Sequence, residues 1–220
     1  MGDPAPSRTG TEPTRDQSAR GGGPAPGRPG VRAEPRGPHA TRPHQGPFWC
    51  VSIAAAIDGE VVAGVIAAPA LGEVYAADLT GVTVNGVPAA PRRRERELDS
   101  LVVSTFPRDL DLETVGDNAL AASGRLVHAY GAVRTLGSGA LGLAMVATGR
   151  ADATFDLHTN AWDVAAGAFM VRLGGGRYHG CEDGVVDDDP RTSYQRPAYW
   201  STAADVDHPT LRDLVTELAT

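Results

Sequence analysis

The order of apolar and polar positions divides the chain near residue 47. Beyond it, two apolar runs, "FWCVSIAAAI" and "VVAGVIAA", flank Asp58-Gly59. Short β-rich runs joined by Asp-Gly predict a hairpin, because the tight turn needs two residues that tolerate positive φ. "GEVYAAD" predicts a third strand, and Asn85-Gly86 inside "VTVNGVPA" a second hairpin. The segment to about residue 90 therefore reads as an antiparallel meander. "RRREREL" at 92–98 reads as a solvated connector.

From residue 101 strand and helix alternate. "LVVSTF" predicts a buried strand, 111–125 a helix, "AVRTLG" a strand and "SGALGLAMVAT" an apolar helix stopped at Gly149. "ADATFDL" predicts another strand. Asn160 is an N-cap residue for a helix through about Leu173, ended by Gly174-Gly175-Gly176. After that stop come polar turns, with Asp187-Asp188-Asp189 as a solvated turn before Pro190, and a C-terminal helix from about His208. The expected class is α+β, a meander followed by a mixed αβα portion.

Residues 1–46 are a different material. They hold nine Gly, nine Pro and seven Arg, and no Leu, Ile, Phe, Tyr or Trp. Such a segment cannot bury enough apolar surface to offset its chain entropy, so a disordered tail over 1–46 and a folded domain over 47–220 are expected. The change at Pro47 is abrupt. It predicts that 1–46 is translated in the wrong frame or joined from another gene, and that truncation leaves apolar faces and sheet edges uncovered.

Composition narrows the chemistry. Hydrophobic residues make up 41% of 220, enough for a sizeable core. No run approaches the ~18 apolar residues of a membrane span, and no apolar signal segment opens the chain. A formal charge of −7 argues against nucleic acid as a partner, and the positive charges of the tail are dilute. Two cysteines without metal spacing point to a reduced, cytoplasmic setting. All 20 basic residues are Arg, which excludes a P-loop lysine and a Schiff-base lysine. Gly-x-Ser-x-Gly and His-Glu-x-x-His are both absent.

Two helix starts carry candidate chemistry. Gly137, Ser138 and Gly139 join a strand to a helix, where free N–H groups could meet an anion or a sugar hydroxyl. Tight helix-on-strand packing explains the same residues equally well. Asp163 stands at about the third helical position of "NAWDVAAG". It could answer the positive end of the helix dipole or hold a metal.

Together, "PFWCVSIAAAIDGEVVAGVIAAPALGEVYAA", "VNGVP", "VVSTFP", "RTLGSGALGLAMVATGRADATFDL" and "AWDVAAGAFMVRLGGG" resemble the inositol monophosphatase family of magnesium-dependent phosphatases over about residues 47–215. The resemblance implies a layered αβαβα fold, present in part, and hydrolysis of inositol monophosphate or a related sugar or polyol phosphate. It implies that Asp163 binds Mg²⁺, that Ser138 and Gly139 offer backbone donors to substrate, and that Asp156 contacts a ring hydroxyl. The family usually has Ala at the position of Gly139. A homodimer is also implied. Asp58, in "IDG", imitates part of the family signature but belongs to a hairpin. The family's other ligands, a Glu-Glu pair and Asp-Pro-(Ile/Leu)-Asp-Gly-Thr, lie upstream of the meander and are missing from 1–47. The resemblance therefore implies an impaired phosphatase or, alternatively, a non-catalytic remnant that serves as a binding or dimerisation module.

Overall fold

The computed structural model describes residues 30–34 and 46–219. Two six-stranded sheets and five helices fill them.

The first sheet is a pure meander: β1 (Gly30–Glu34), β2 (Val51–Ile57), β3 (Glu60–Ala68), β4 (Glu73–Asp78), β5 (Gly81–Val84) and β6 (Val87–Pro88), each antiparallel to the next. The turns follow from local chemistry. Asp58 and Gly59, then Asn85 and Gly86, all adopt positive φ, as the mirror-image turns of two-residue hairpins require. The Asn85 side chain also accepts from the Val74 N–H at 2.8 Å and donates to the Gly72 carbonyl at 3.0 Å, which fixes the second hairpin against β4.

The edge strand β1 falls inside the stretch expected to be disordered. Its backbone pairs along β2, with Ala33 opposite Ile53. The rest of that expectation, over 1–29 and 35–45, lies outside the described residues.

The second half contains β7 (Leu101–Ser104), α1 (Asp109–Val115), α2 (Asp117–Ala129), β8 (Ala132–Thr135), α3 (Gly139–Ala147), β9 (Ala153–Asp156), α4 (Ala161–Leu173), β10 (Arg177–Glu182), β11 (Val185–Asp187), β12 (Ala198–Thr202) and α5 (Pro209–Leu218). Its sheet runs β11-β10-β12-β9-β7-β8, with β7 parallel to both β8 and β9 and the remaining pairs antiparallel.

Two expectations need correction here. The helix over 111–125 is two helices, because Gly116 takes φ 60°, ψ −138°, which no helix accommodates. The polar turns after Gly176 include a hairpin, β10–β11, reversed at Asp183-Gly184 with both φ positive.

The layers run sheet, helices, sheet, helices. Helices α3 and α4 lie between the sheets, burying Ile66, Tyr75, Leu141, Leu143, Val164, Met170 and Tyr199 in one core. Helices α2 and α5 cover the far face of the second sheet and bury Phe155, Trp200, Leu126, Leu211 and Leu214. The two middle helices approach closely: a Cβ on Gly167 would lie 2.4 Å from the Leu143 Cβ. Among the described residues, no helix packs on the outer face of the first sheet.

Candidate metal and substrate site

The proposed site residues sit where β9, α3 and α4 converge. Ser138 is the N-cap of α3, with extended φ −143°, ψ 108°, and its buried hydroxyl accepts from the Leu141 N–H at 3.4 Å. The Cys50 thiol lies 3.4 Å from the same hydroxyl and ties β2 to this helix start. Gly139 follows as the first helical residue, where N–H groups have no partner within the helix. A Cβ on Gly139 would stand 3.3 Å from the Tyr199 Oη and 3.7 Å from Asp156 Oδ2. Three elements therefore meet at this helix start.

Asp156, at the end of β9, is buried at 2% exposure. The Arg108 Nη2 donates to its Oδ1 at 2.7 Å, the His158 N–H to the same oxygen at 3.1 Å, and the Thr105 hydroxyl to Oδ2. Burial pushes its pKa up, against the Arg108 charge and the hydrogen bonds, which pull it down. The Arg108 guanidinium also lies 3.6 Å from Asp111. The carboxylate read as a ring-hydroxyl contact is thus already engaged within the protein.

Asp163 is the third residue of α4 and makes a capping box with Asn160. The Asn160 N–H donates to Asp163 Oδ2 at 2.9 Å, and the Asn160 amide to the same atom at 3.2 Å. The carboxylate thus caps the start of its own helix, at the positive end of the helix dipole. Asp58 lies in the β2–β3 turn, with φ 51°.

Tyr199, Arg108 and Thr105 were not singled out from sequence. Tyr199 is fully buried and stacks on Tyr178 with ring centroids 5.1 Å apart. Its phenol is pushed well above the ordinary value, first by burial and then by the charge of Asp156, with Asp163 adding to the effect. The Thr154 hydroxyl, equally buried on β9, opposes that shift. Arg108 and Thr105 flank the Phe106-Pro107 step of "STFPR", the one local signal that could have drawn attention to them.

The donor set among the described residues falls short of the clustered carboxylates that the family resemblance implies for Mg²⁺, an ion that takes its oxygens in near-octahedral array. Among the described residues no group of three or more His, Cys, Asp and Glu side chains is placed to hold a metal ion. Asp163 alone, with one oxygen committed to its cap, does not make such a centre.

Comparison with known proteins accords with this architecture. The chain is 36% identical to an inositol-1-monophosphatase of Mesorhizobium japonicum over 134 residues, 60% of this chain and 50% of that one. It is 33% identical to the Nus factor SuhB of Escherichia coli over 137 residues, 59% and 48% of the two chains. The chain spans about half the length of the curated relatives it matches. Among solved structures, inositol monophosphatase from Anabaena superposes with TM-score 0.69 at 28% identity, covering 86% of this chain and 70% of that one. The extragenic suppressor protein suhB from Bartonella henselae gives 0.69 at 26%, with 86% and 69% covered. Relatives named Nus factor leave the exclusion of nucleic acid, drawn from net charge, without support. No helix among the described residues is long and apolar enough to cross a membrane. The family model for inositol monophosphatases matches residues 43–214, and the chain belongs to that family.

Proposed function

We propose that the chain carries the substrate-facing half of a Mg²⁺-dependent phosphomonoester hydrolase site and, by itself, hydrolyses such esters little or not at all. The observation that carries this reading is the contrast at the site. The α3 start and Asp156 adjoin each other and Tyr199, the charge of Asp163 also bears on Tyr199, and the described residues supply no cluster of ligands around Asp163. The substrate class is a small phosphorylated polyol or sugar such as inositol monophosphate, as the family resemblance implies. Ser138 and Gly139 would present backbone N–H groups to it, and Asp163 would be one ligand of the metal, which would activate water and neutralise phosphate charge. Asp156 would orient a substrate hydroxyl only by sharing it with Arg108 and Thr105. Residues 47–220 are the folded unit of this reading, with Gly30–Glu34 added to its first sheet as an edge strand, and the setting is cytoplasmic, in keeping with two buried cysteines that form no disulfide.

The second reading, a non-catalytic binding or dimerisation module, is supported by the same shortage of ligands and by the Nus factor names among the relatives. One assay tests the low activity that both readings expect. Purified chain with myo-inositol 1-phosphate and about millimolar Mg²⁺, near the upper range of ordinary substrate affinities, should release little or no phosphate, and Asp163→Asn should change nothing. Robust turnover abolished by that substitution refutes the proposal.

A further inference from the structure

The second half of α4 lines a cavity of about 250 Å³ that the candidate site does not use. Its walls are largely apolar: Val61 from β3, Phe169 and Leu173 from α4, and Pro190 and Tyr194 from the segment before β12. The Tyr194 hydroxyl donates to the Gly59 carbonyl at 2.9 Å, so its polar end is committed and its ring is left to the cavity. Arg172 shares these walls. It lies nine residues beyond Asp163, about 13 Å along the helix at ~1.5 Å per residue.

Arg172 is held in place but not neutralised. Its Nη2 donates to the Tyr178 carbonyl at 3.2 Å and to the Ser193 hydroxyl at 2.5 Å, and its guanidinium stands 5.2 Å from the centre of the Tyr178 ring. Among the described residues no carboxylate pairs with it, and its Nε and Nη1 donate to no group. The carboxylates nearby are engaged elsewhere: Glu60, on the exposed wall, faces Arg191 at 3.4 Å, and Asp187 faces Arg196 at 2.8 Å. Burial pulls the pKa of Arg172 down, while the Tyr178 phenol and the charges of Asp188, Asp187 and Asp189 pull it up. A guanidinium drawn out of water without a counter-ion is uncommon, since burying a charge costs free energy that a partner must offset.

We propose that this cavity binds a small monocarboxylate with an apolar, ring-sized body, its carboxylate on Arg172 and its body against Phe169, Leu173 and Tyr194. The volume takes roughly eight water-sized groups at ~30 Å³ each, about the bulk of one ring and a short acid chain. Guanidinium and carboxylate match as parallel N–H···O bonds. The field of Asp187, Asp188 and Asp189 sets the ligand's charge, tolerating one negative charge beside Arg172 and disfavouring the two of a phosphate monoester. The proposal is independent of the phosphatase reading, because no residue of the candidate site lines the cavity.

Isothermal titration calorimetry of the full chain with 3-phenylpropionate tests it. The wild type should bind with a Kd of about 1 mM or lower, as a ligand of this size does in a preformed apolar cavity. 3-Phenylpropan-1-ol, which keeps the body and lacks the charge, should bind at least about 10-fold more weakly, and inorganic phosphate should not displace the acid. Arg172→Met should weaken 3-phenylpropionate by at least about 10-fold and leave the alcohol unchanged. Ala165→Leu, which fills the cavity from a buried position on α4 and keeps Arg172, should abolish binding of both. Far-ultraviolet circular dichroism checks that each variant is folded. Should Arg172→Met not fold, Arg172→Lys reads the same contact through the lost fork, with a weakening of about 3-fold or more. No binding to wild type at about 10 mM acid, equal affinity for acid and alcohol, displacement by phosphate, or a Kd unchanged in the folded variants would each overturn the proposal.

Discussion

The two sheets handle their faces in opposite ways. The β7–β12 sheet is covered on both sides, by α3 and α4 on one and α2 and α5 on the other, yet polar groups lie inside it: Thr154, Asp156 and Ser201 are at 0–2% exposure. The β1–β6 sheet is covered on one side and leaves Ile53, Val65 and Val74 in water on the other. Polar groups inside a sealed layer cost free energy unless they are hydrogen-bonded, and they mark where a site is assembled. Apolar groups outside an open layer mark where another surface belongs. In this chain the residues proposed to face substrate fall on the sealed sheet, and the exposed apolar row on the open one.

Substitutions on the two sheets should differ in proportion. Phe155→Ala removes a fully buried ring that packs on Phe106 at 5.4 Å, and should cost about 3–5 kcal/mol in urea unfolding. A loss under about 1 kcal/mol would mean that the sealed face collapses around the cavity. Asp156→Ala leaves Arg108 facing a site without its carboxylate. Because Arg108 keeps 30% of its side chain exposed, about 2–3 kcal/mol is expected, at or below the lower end for broken buried pairs. No change in stability would show that the pair contributes nothing net.

On the open sheet the effects shrink. Glu73 of β4 pairs with Arg150, whose guanidinium holds the carboxylate below its ordinary 4.5, against the opposing effect of burial and with help from the Tyr75 hydroxyl. A carboxylate lowered in the folded state contributes stability that is full above pH 4.5 and lost as pH falls through the folded value. Glu73→Gln should therefore flatten the acid limb of stability below about pH 4.5 and cost under about 1 kcal/mol at pH 7, given the exposure of Arg150. An unchanged acid limb would contradict the pairing. Val65→Ala, smallest of all, should stay within about 0.5 kcal/mol in urea unfolding.

Much of this organisation was legible in the chain, for local reasons. Asp58-Gly59 and Asn85-Gly86 announced their hairpins because positive φ is a property of the turn residues themselves. Asn160 announced α4 because the cap acts within three residues. Asp183-Gly184 carries the same turn signal, but the flanking "RYHGCE" and "VVD" lack clean alternation, and the acidic run after them suggested only solvated turns. Gly116 split a helix at a point where a lone Gly is often tolerated.

The candidate site was legible only in its helix starts. Ser138, Gly139 and Asp163 are placed by the elements they begin. The network around Asp156 joins residues 48 and 51 positions away, Arg108 and Thr105, and Tyr199, opposite Asp156 on the paired strand β12, reaches Gly139. No local pattern encodes such meetings, because they follow from sheet order.

The central claim is that Asp163 serves as a cap and does not complete a metal centre. Thermal unfolding with and without about 5 mM Mg²⁺, on wild type and Asp163→Asn, tests it most directly, since a ligand bound only by the native state stabilises by RT ln(1 + [L]/Kd). The account predicts a metal-induced shift below about 1 °C in both proteins, with Asp163→Asn lowering the midpoint itself by the equivalent of about 0.5–1 kcal/mol through its weakened cap. A shift of several degrees in wild type that vanishes in Asp163→Asn would contradict it.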